Sequence, residues 1–196
     1  MSRAELAGGD DGRIRCGWAA HDPEYRRYHD EEWGTPLHGD RALFEKISLE
    51  GFQAGLSWIT ILKRRPGFRD VFDGFDIATV AGYDDGDVAR LLADARIIRN
   101  RAKVLATIGN ARVAAELVRD RPGALDELVW SHAPASARPR PVAWADIPAV
   151  TPESEQLSRT LRGLGFRFVG PTTMYALMQS AGLVDDHLAG CWRASD

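Results

Sequence analysis

The chain has 196 residues, 44% hydrophobic and 27% charged, with a formal net charge of −3. These values suit one domain with an apolar core and exclude collagen-like, low-complexity and wholly disordered chains. No apolar run approaches the roughly 20 residues that span a bilayer, and no signal-peptide stretch opens the sequence, so a soluble, cytoplasmic protein with no membrane partner is expected.

A reducing compartment disfavours a stable disulfide, and the two cysteines, Cys16 and Cys191, read as thiols or metal ligands. The small negative charge argues against strong non-specific polyanion binding, but the charge is unevenly spread. Basic residues gather from Arg96 to Arg121 and at Arg159, Arg162 and Arg167. A bound phosphate backbone would lie there, although each charge taken singly reads first as part of a solvated helix face.

Residues 1–13 are small, acidic and glycine-rich and read as a disordered tail; residues 14–196 read as a single lobed domain. From Asp40, taken as a cap, Leu43, Phe44, Ile47, Gly51 and Ala54 recur at helical spacing until Gly55 interrupts them. Ser57 caps a second predicted helix through Trp58, Ile59, Ile61 and Leu62, ending before Arg65-Pro66-Gly67. Val88, Leu91, Leu92 and Ala95 form one stripe, and Ile98, Ala102, Leu105 and Ile108 another, with arginines and Lys103 outside. The five prolines between Ser131 and Pro152 predict a long connection anchored by Trp144 and Ile147. Leu157, Leu161 and Leu164 mark the next helix, and Met174, Leu177, Met178 and Ala181 the last. Phe166-Arg-Phe-Val169 is the best strand candidate, too short to change the expected class, which is all-α.

Around Gly163 to Gly170, with Pro171 at a favoured first helical position, residues 157–182 have a helix-hairpin-helix shape. Such a hairpin is either a plain corner between helices or a DNA clamp, in which glycines permit positive φ and free N–H groups at the second helix hold a phosphate. Glu50 lies seven residues after Leu43 and three after Ile47, which projects it from the apolar face of its helix. A carboxylate there is either bonded structurally or functional, because burying it bare is very costly. Trp18, Tyr25, Tyr28 and Trp33 cluster upstream and Trp58 follows; rings beside an acid suit a flat cationic ligand.

His187 and Cys191, four residues apart, would share one side of a helix, and Cys16 and His29 could supply two further ligands. The set suits tetrahedral, structural zinc; a buried thiol and a hydrogen-bonded histidine are the alternatives.

The motifs Arg15-Cys-Gly-Trp18, Tyr28-His-Asp30, Glu32-Trp-Gly34, Leu49-Glu-Gly-Phe-Gln-Ala-Gly-Leu-Ser-Trp58, Ile108-Gly-Asn-Ala-Arg112, Gly165-Phe-Arg-Phe-Val-Gly-Pro-Thr-Thr173 and Asp186-His-Leu-Ala-Gly-Cys191 follow one another in order. Together, from Arg15 to about Trp192, they make the chain resemble the bacterial DNA-3-methyladenine glycosylase I family, within the helix-hairpin-helix DNA glycosylase superfamily. The resemblance implies one structural zinc on Cys16, His29, His187 and Cys191, tying the two terminal segments together. It implies a base pocket of Glu50, Tyr28 and Trp58 with Trp18, Tyr25 and Trp33 in its wall, Glu50 being the catalytic candidate. The Ala54-Gly55-Leu56 turn would enter the gap left by the flipped nucleotide, with Gly165, Gly170 and Thr172 of the hairpin on the DNA backbone.

The implied activity is extrusion of 3-methyladenine from alkylated double-stranded DNA and hydrolysis of its N-glycosidic bond, releasing the free base and leaving an abasic site. Many superfamily members carry a catalytic aspartate after the hairpin where this family often has asparagine; Val184-Asp-Asp-His187 puts Asp185 there, read here as structural. The hairpin segment contains no lysine, so no Schiff-base lyase step is expected. A non-catalytic module recognising modified bases is the alternative, and a zinc hydrolase using His29 or His187 is disfavoured by the count of four ligands. A monomer is expected.

Overall fold

Short polar side chains set where several of the helices begin. In the computed structural model, which describes residues 5–194, Asp22 accepts from the N–H groups of Glu24 and Tyr25 to start α1 (Pro23–Glu31). Asp84 and Asn100 do the same for α5 (Asp85–Ala93) and α6 (Arg101–Val118), and Thr151 for α8 (Pro152–Leu164). The remaining helices are α2 (Asp40–Gln53), α3 (Trp58–Val71), α4 (Ile77–Ala81), α7 (Ala124–Trp130) and α9 (Pro171–Ser180). Among the described residues the single sheet is a ribbon of β1 (Leu6–Gly8) antiparallel to β2 (Ile14–Cys16), with Leu6 opposite Cys16. The class is therefore helical, as expected.

The ribbon corrects the reading of residues 1–13 as a disordered tail, of which residues 1–4 lie outside the described residues. Gly12 turns the chain at φ 77°, and buried Arg15 grips Asp11 through two bonds of 2.8 and 2.6 Å. Asp40 is also corrected. Gly39 occupies the cap position of α2, and the Asp40 carboxylate instead accepts from the N–H groups of Gly123, Leu125 and Asp126, capping α7. Helix α3 runs through Pro66 to Val71, because burial of Phe68 and Val71 outweighs the backbone bond that proline removes. On α6, Leu105 is exposed, whereas Lys103 is buried and donates to the carbonyls of Phe52 (2.8 Å) and Ala54 (2.6 Å). That helix packs against α2, α4, α5 and α7, so its buried face is broader than one stripe. Phe166 to Val169 form a loop, in which Phe168 has φ 58°.

Two apolar clusters result. The larger joins α2 to the hairpin helices through residues such as Phe44, Phe52, Leu161 and Met174. The smaller gathers Cys16, Tyr28, Trp33, Leu62, Leu188 and Cys191 from both ends of the chain. Trp58 and Ile147 pack against both, and with Trp144 they anchor the proline-rich connection at the seam.

Candidate active site

A cavity of about 380 Å³ opens at that seam. Its walls include Trp18, Tyr25, Tyr28, Trp33, Glu50 and Trp58, all six expected base-pocket residues, and the structure brings them together. Helix α1 projects Tyr25 and Tyr28 one turn apart. The Tyr25 hydroxyl accepts from the Ile59 N–H at 3.0 Å, which ties α1 to the start of α3. Trp18 meets Tyr25 and Trp33 edge to face, with centroids 5.3 Å away in both pairs, and Tyr28 lies 5.5 Å from Trp58. The buried indole N–H of Trp58 has no hydrogen-bond partner among the described residues.

Glu50 is 2% exposed and accepts from the Ser180 hydroxyl at 2.9 Å. Burial pushes its carboxyl up to about 7, against the pull of Lys46 and of the Ser180 bond. Lys46, one turn earlier on α2, is buried too and is pushed down to about 8 by burial, opposed chiefly by Glu50 and Glu32. Its ammonium donates to the Tyr28 hydroxyl at 3.3 Å and lies 4.8 and 5.3 Å from the ring centroids of Tyr28 and Trp58. Burial and the nearby Glu50 carboxylate hold the Tyr28 phenol well above its ordinary value, so it stays protonated. The pocket thus presents flat rings around one ionisable acid, a setting suited to a planar cation.

Several pocket residues escape the sequence reading. Gln53, Ala176, Gln179 and Ser180 also line the cavity, and Lys46 stands behind it. Lys46 carries a signal, its i−4 spacing from Glu50; the α9 residues carry none, being 126 to 130 positions away in the chain.

Cys16, His29, His187 and Cys191 converge as expected, with one ligand atom from each lying within 4.8 Å of all the others. They do so without the expected helix: a turn closed by the Cys191 N–H on the Leu188 carbonyl, with Gly190 at φ 88°, presents His187 and Cys191 together. The chemistry of the donors fits a metal ion. His29 Nδ1 lies 2.8 Å from Asp30, which turns Nε2 toward Cys191 Sγ at 3.4 Å; His187 Nε2 donates to the Trp33 carbonyl at 3.1 Å, leaving Nδ1 between the two sulfurs. Asp30 is itself held by Arg15 at 2.7 Å. All four residues are buried, so the cluster offers no open face to a substrate.

On the hairpin, Gly165 closes α8 in the left-handed region at φ 106°, while Gly170 has φ −64° and does not need glycine's freedom. Thr172 is exposed at the start of α9, whose cap position offers no side-chain acceptor. Asn110 clamps the loop, donating to the Arg167 carbonyl at 3.0 Å and accepting from its N–H at 2.8 Å. Gly55, at φ 81°, and exposed Leu56 form the α2–α3 turn. Asp185 does not line the cavity; it accepts from the His187 N–H and pairs with Arg140 at 3.1 Å, a structural arrangement.

The family model for methyladenine glycosylase matches residues 18–194. DNA-3-methyladenine glycosylase 1 of Escherichia coli (strain K12) is 47% identical over 180 residues, covering 90% of this chain and 95% of that protein. The DNA-3-methyladenine glycosylase of Haemophilus influenzae is 42% identical over 183 residues, covering 90% and 96%. A crystal structure of a 3-methyladenine DNA glycosylase I superposes with a TM-score of 0.88 at 43% identity, covering 92% of this chain and 100% of that one. The Staphylococcus aureus enzyme, solved for its recognition of 3-methyladenine, gives 0.86 at 32% identity, covering 93% and 97%.

Proposed function

Because the chain belongs to the methyladenine glycosylase family, we propose that it excises 3-methyladenine from alkylated double-stranded DNA as a base-excision repair glycosylase, releasing the free base and leaving an abasic site. The observation that carries this reading is Glu50, a buried carboxylate lining a cavity walled by Trp58, Tyr28 and four further rings.

Methylation at N3 gives adenine a positive charge and weakens its glycosidic bond. Once the nucleotide is turned out of the duplex, the rings stack on the cationic base and Glu50 accepts from its exocyclic amine. Ordinary adenine, being neutral, gains less from both contacts. The bond from the sugar breaks with its electron pair passing to the base, which leaves neutral, and water adds to the sugar carbon and loses a proton. No amine of the hairpin attacks the sugar, so the reaction is monofunctional.

DNA is held by the hairpin from Gly165 to Thr172, where N–H groups at the start of α9 meet a phosphate, and Gly55 and Leu56 occupy the gap in the duplex. Cys16, His29, His187 and Cys191 would hold one zinc ion, which with four protein ligands would cross-link the two terminal segments and supply no activated water. The protein acts as a monomer.

Incubation with methylated duplex DNA tests the assignment. Release of free 3-methyladenine with an intact, abasic strand is expected. Binding to the duplex without release would instead identify a recognition module.

A further inference from the structure

Lys46 is an odd neighbour for a site that binds a cation. It is 6% exposed, its one hydrogen bond among the described residues is the 3.3 Å contact to Tyr28, and it does not line the cavity, whereas Glu50 does. The charged groups around it are Glu32 beyond the end of α1, Glu45 and Glu50 on α2, and Arg65 on α3. Glu32 is committed to Arg65 through bonds of 2.5 and 2.7 Å, and Glu45 to Arg69 at 2.7 Å. The anion left for Lys46 to balance is Glu50. Residues four apart on a helix stand one above the other, with Cβ atoms about 6 Å apart. The Ser180 hydroxyl and the Tyr28 phenol, both neutral, complete the surroundings of the acid.

Building on the excision reading above, we propose that Lys46 is a positioning residue for the pocket acid: its ammonium, screened from the base by the rings of Tyr28 and Trp58, keeps Glu50 ionised so that the incoming cation meets a carboxylate. Without a cation behind it, a carboxyl in this apolar setting holds its proton at neutral pH and becomes a poor partner for the charged base. The arrangement places the negative member of the pair at the cavity wall and the positive member behind it, so the site is attractive to a cation while its buried net charge stays small.

The test is the pH profile of single-turnover 3-methyladenine release from methylated duplex, between about pH 5.5 and 9.5, for wild type, Lys46→Met and Lys46→Arg. Loss of the charge should move the acidic limb of Lys46→Met up by about one unit or more. The variant is then at least several-fold slower than wild type at neutral pH and recovers as the pH rises. Lys46→Arg keeps the wild-type limb. A loss in Lys46→Met that is the same at every pH, or no loss, overturns the proposal. Lys46→Gln carries the same test if Lys46→Met does not fold. A second readout needs no change at Lys46: the carboxyl carbon resonance of Glu50, assigned by its absence in Glu50→Gln, should report a carboxylate in the wild-type protein at about pH 8, and an acid form there overturns the proposal. Wild-type protein that releases no 3-methyladenine at any pH would count against the glycosylase reading itself, a result distinct from a flat mutant-to-wild-type ratio.

Discussion

The hydroxyl of Ser180, the last residue of α9, donates to Oε1 of Glu50 at 2.9 Å, 130 residues away in the chain. Helix α9 begins at the hairpin and ends on the pocket acid. The hairpin also rests on α2 next to that acid, where a Cβ at Gly51 would come 3.3 Å from the Cβ of Phe168. The element proposed to meet the phosphate and the element proposed to hold the base are thus packed directly together, so a backbone grip on DNA would also fix where the flipped base arrives.

Excision should depend on pH through Glu50. Its carboxyl is pushed up to about 7 by burial, so the rate should fall as the pH drops through that value, approaching tenfold per unit below it. The same shift predicts the sign of a stability effect. Between the ordinary carboxyl value of about 4.3 and about 7 the folded chain holds a proton that the unfolded chain has released, so this group's contribution to stability declines as pH rises through that window and stays low above it. Replacing the buried pair together, Glu50→Gln with Lys46→Met, should therefore leave stability at pH 7 unchanged or raise it by about 1–4 kcal/mol, measured by urea unfolding. A marked loss would show the pair to be a structural necessity.

Purified protein should contain one zinc ion per chain by elemental analysis. Cys191→Ser should lower the thermal midpoint and speed amide exchange in the ribbon of β1 and β2 and in the turn around Gly190, with activity falling only as far as folding does. A fully folded, equally stable Cys191→Ser protein without activity would point to catalytic metal.

Gly170→Asp separates the hairpin's two roles. With φ at −64° and Arg162 Nη2 3.5 Å from a Cβ built there, an aspartate fits without strain and can cap α9. Thermal stability should hold or rise, while affinity for duplex DNA falls for all sequences alike through repulsion of the phosphate. Wild-type affinity in a binding titration would reduce the hairpin to a structural corner.

Lys103→Met removes the ammonium that closes the end of α2 at Phe52 and Ala54. With those carbonyls left unpaired, stability should drop by about 1–3 kcal/mol. The Gly55–Leu56 turn should loosen, and excision should weaken more than binding of free base. Equal effects on both would place the damage in the pocket itself.

Sequence reasoning reaches the pocket where its signals are local. Glu50 stands out because it breaks an apolar helix face, and four of the rings because Trp18, Tyr25, Tyr28 and Trp33 crowd one short stretch. Ser180 and Gln179 reach the same cavity only through the packing of α9 on α2, which no local pattern encodes. Lys103 reads as solvated because lysine usually is, and only the carbonyls at the end of another helix make its burial tolerable. The ribbon of β1 and β2 is too short for alternation to register, and it depends on Arg15 bridging Asp11 and Asp30. His187 and Cys191 are four residues apart for a reason other than a helix: the turn at Gly190 folds them together.

The most direct test of the account is single-turnover excision of 3-methyladenine from methylated duplex by Glu50→Gln at about pH 7.5. The substitution keeps the size of the side chain and its bond with Ser180, and removes the charge that, on the proposed reading, would face the cationic base. With folding and zinc content unchanged, the rate should fall by about one to three orders of magnitude, each factor of ten corresponding to about 1.4 kcal/mol. Excision at the wild-type rate would contradict the account and leave a pocket that works by shape and stacking alone.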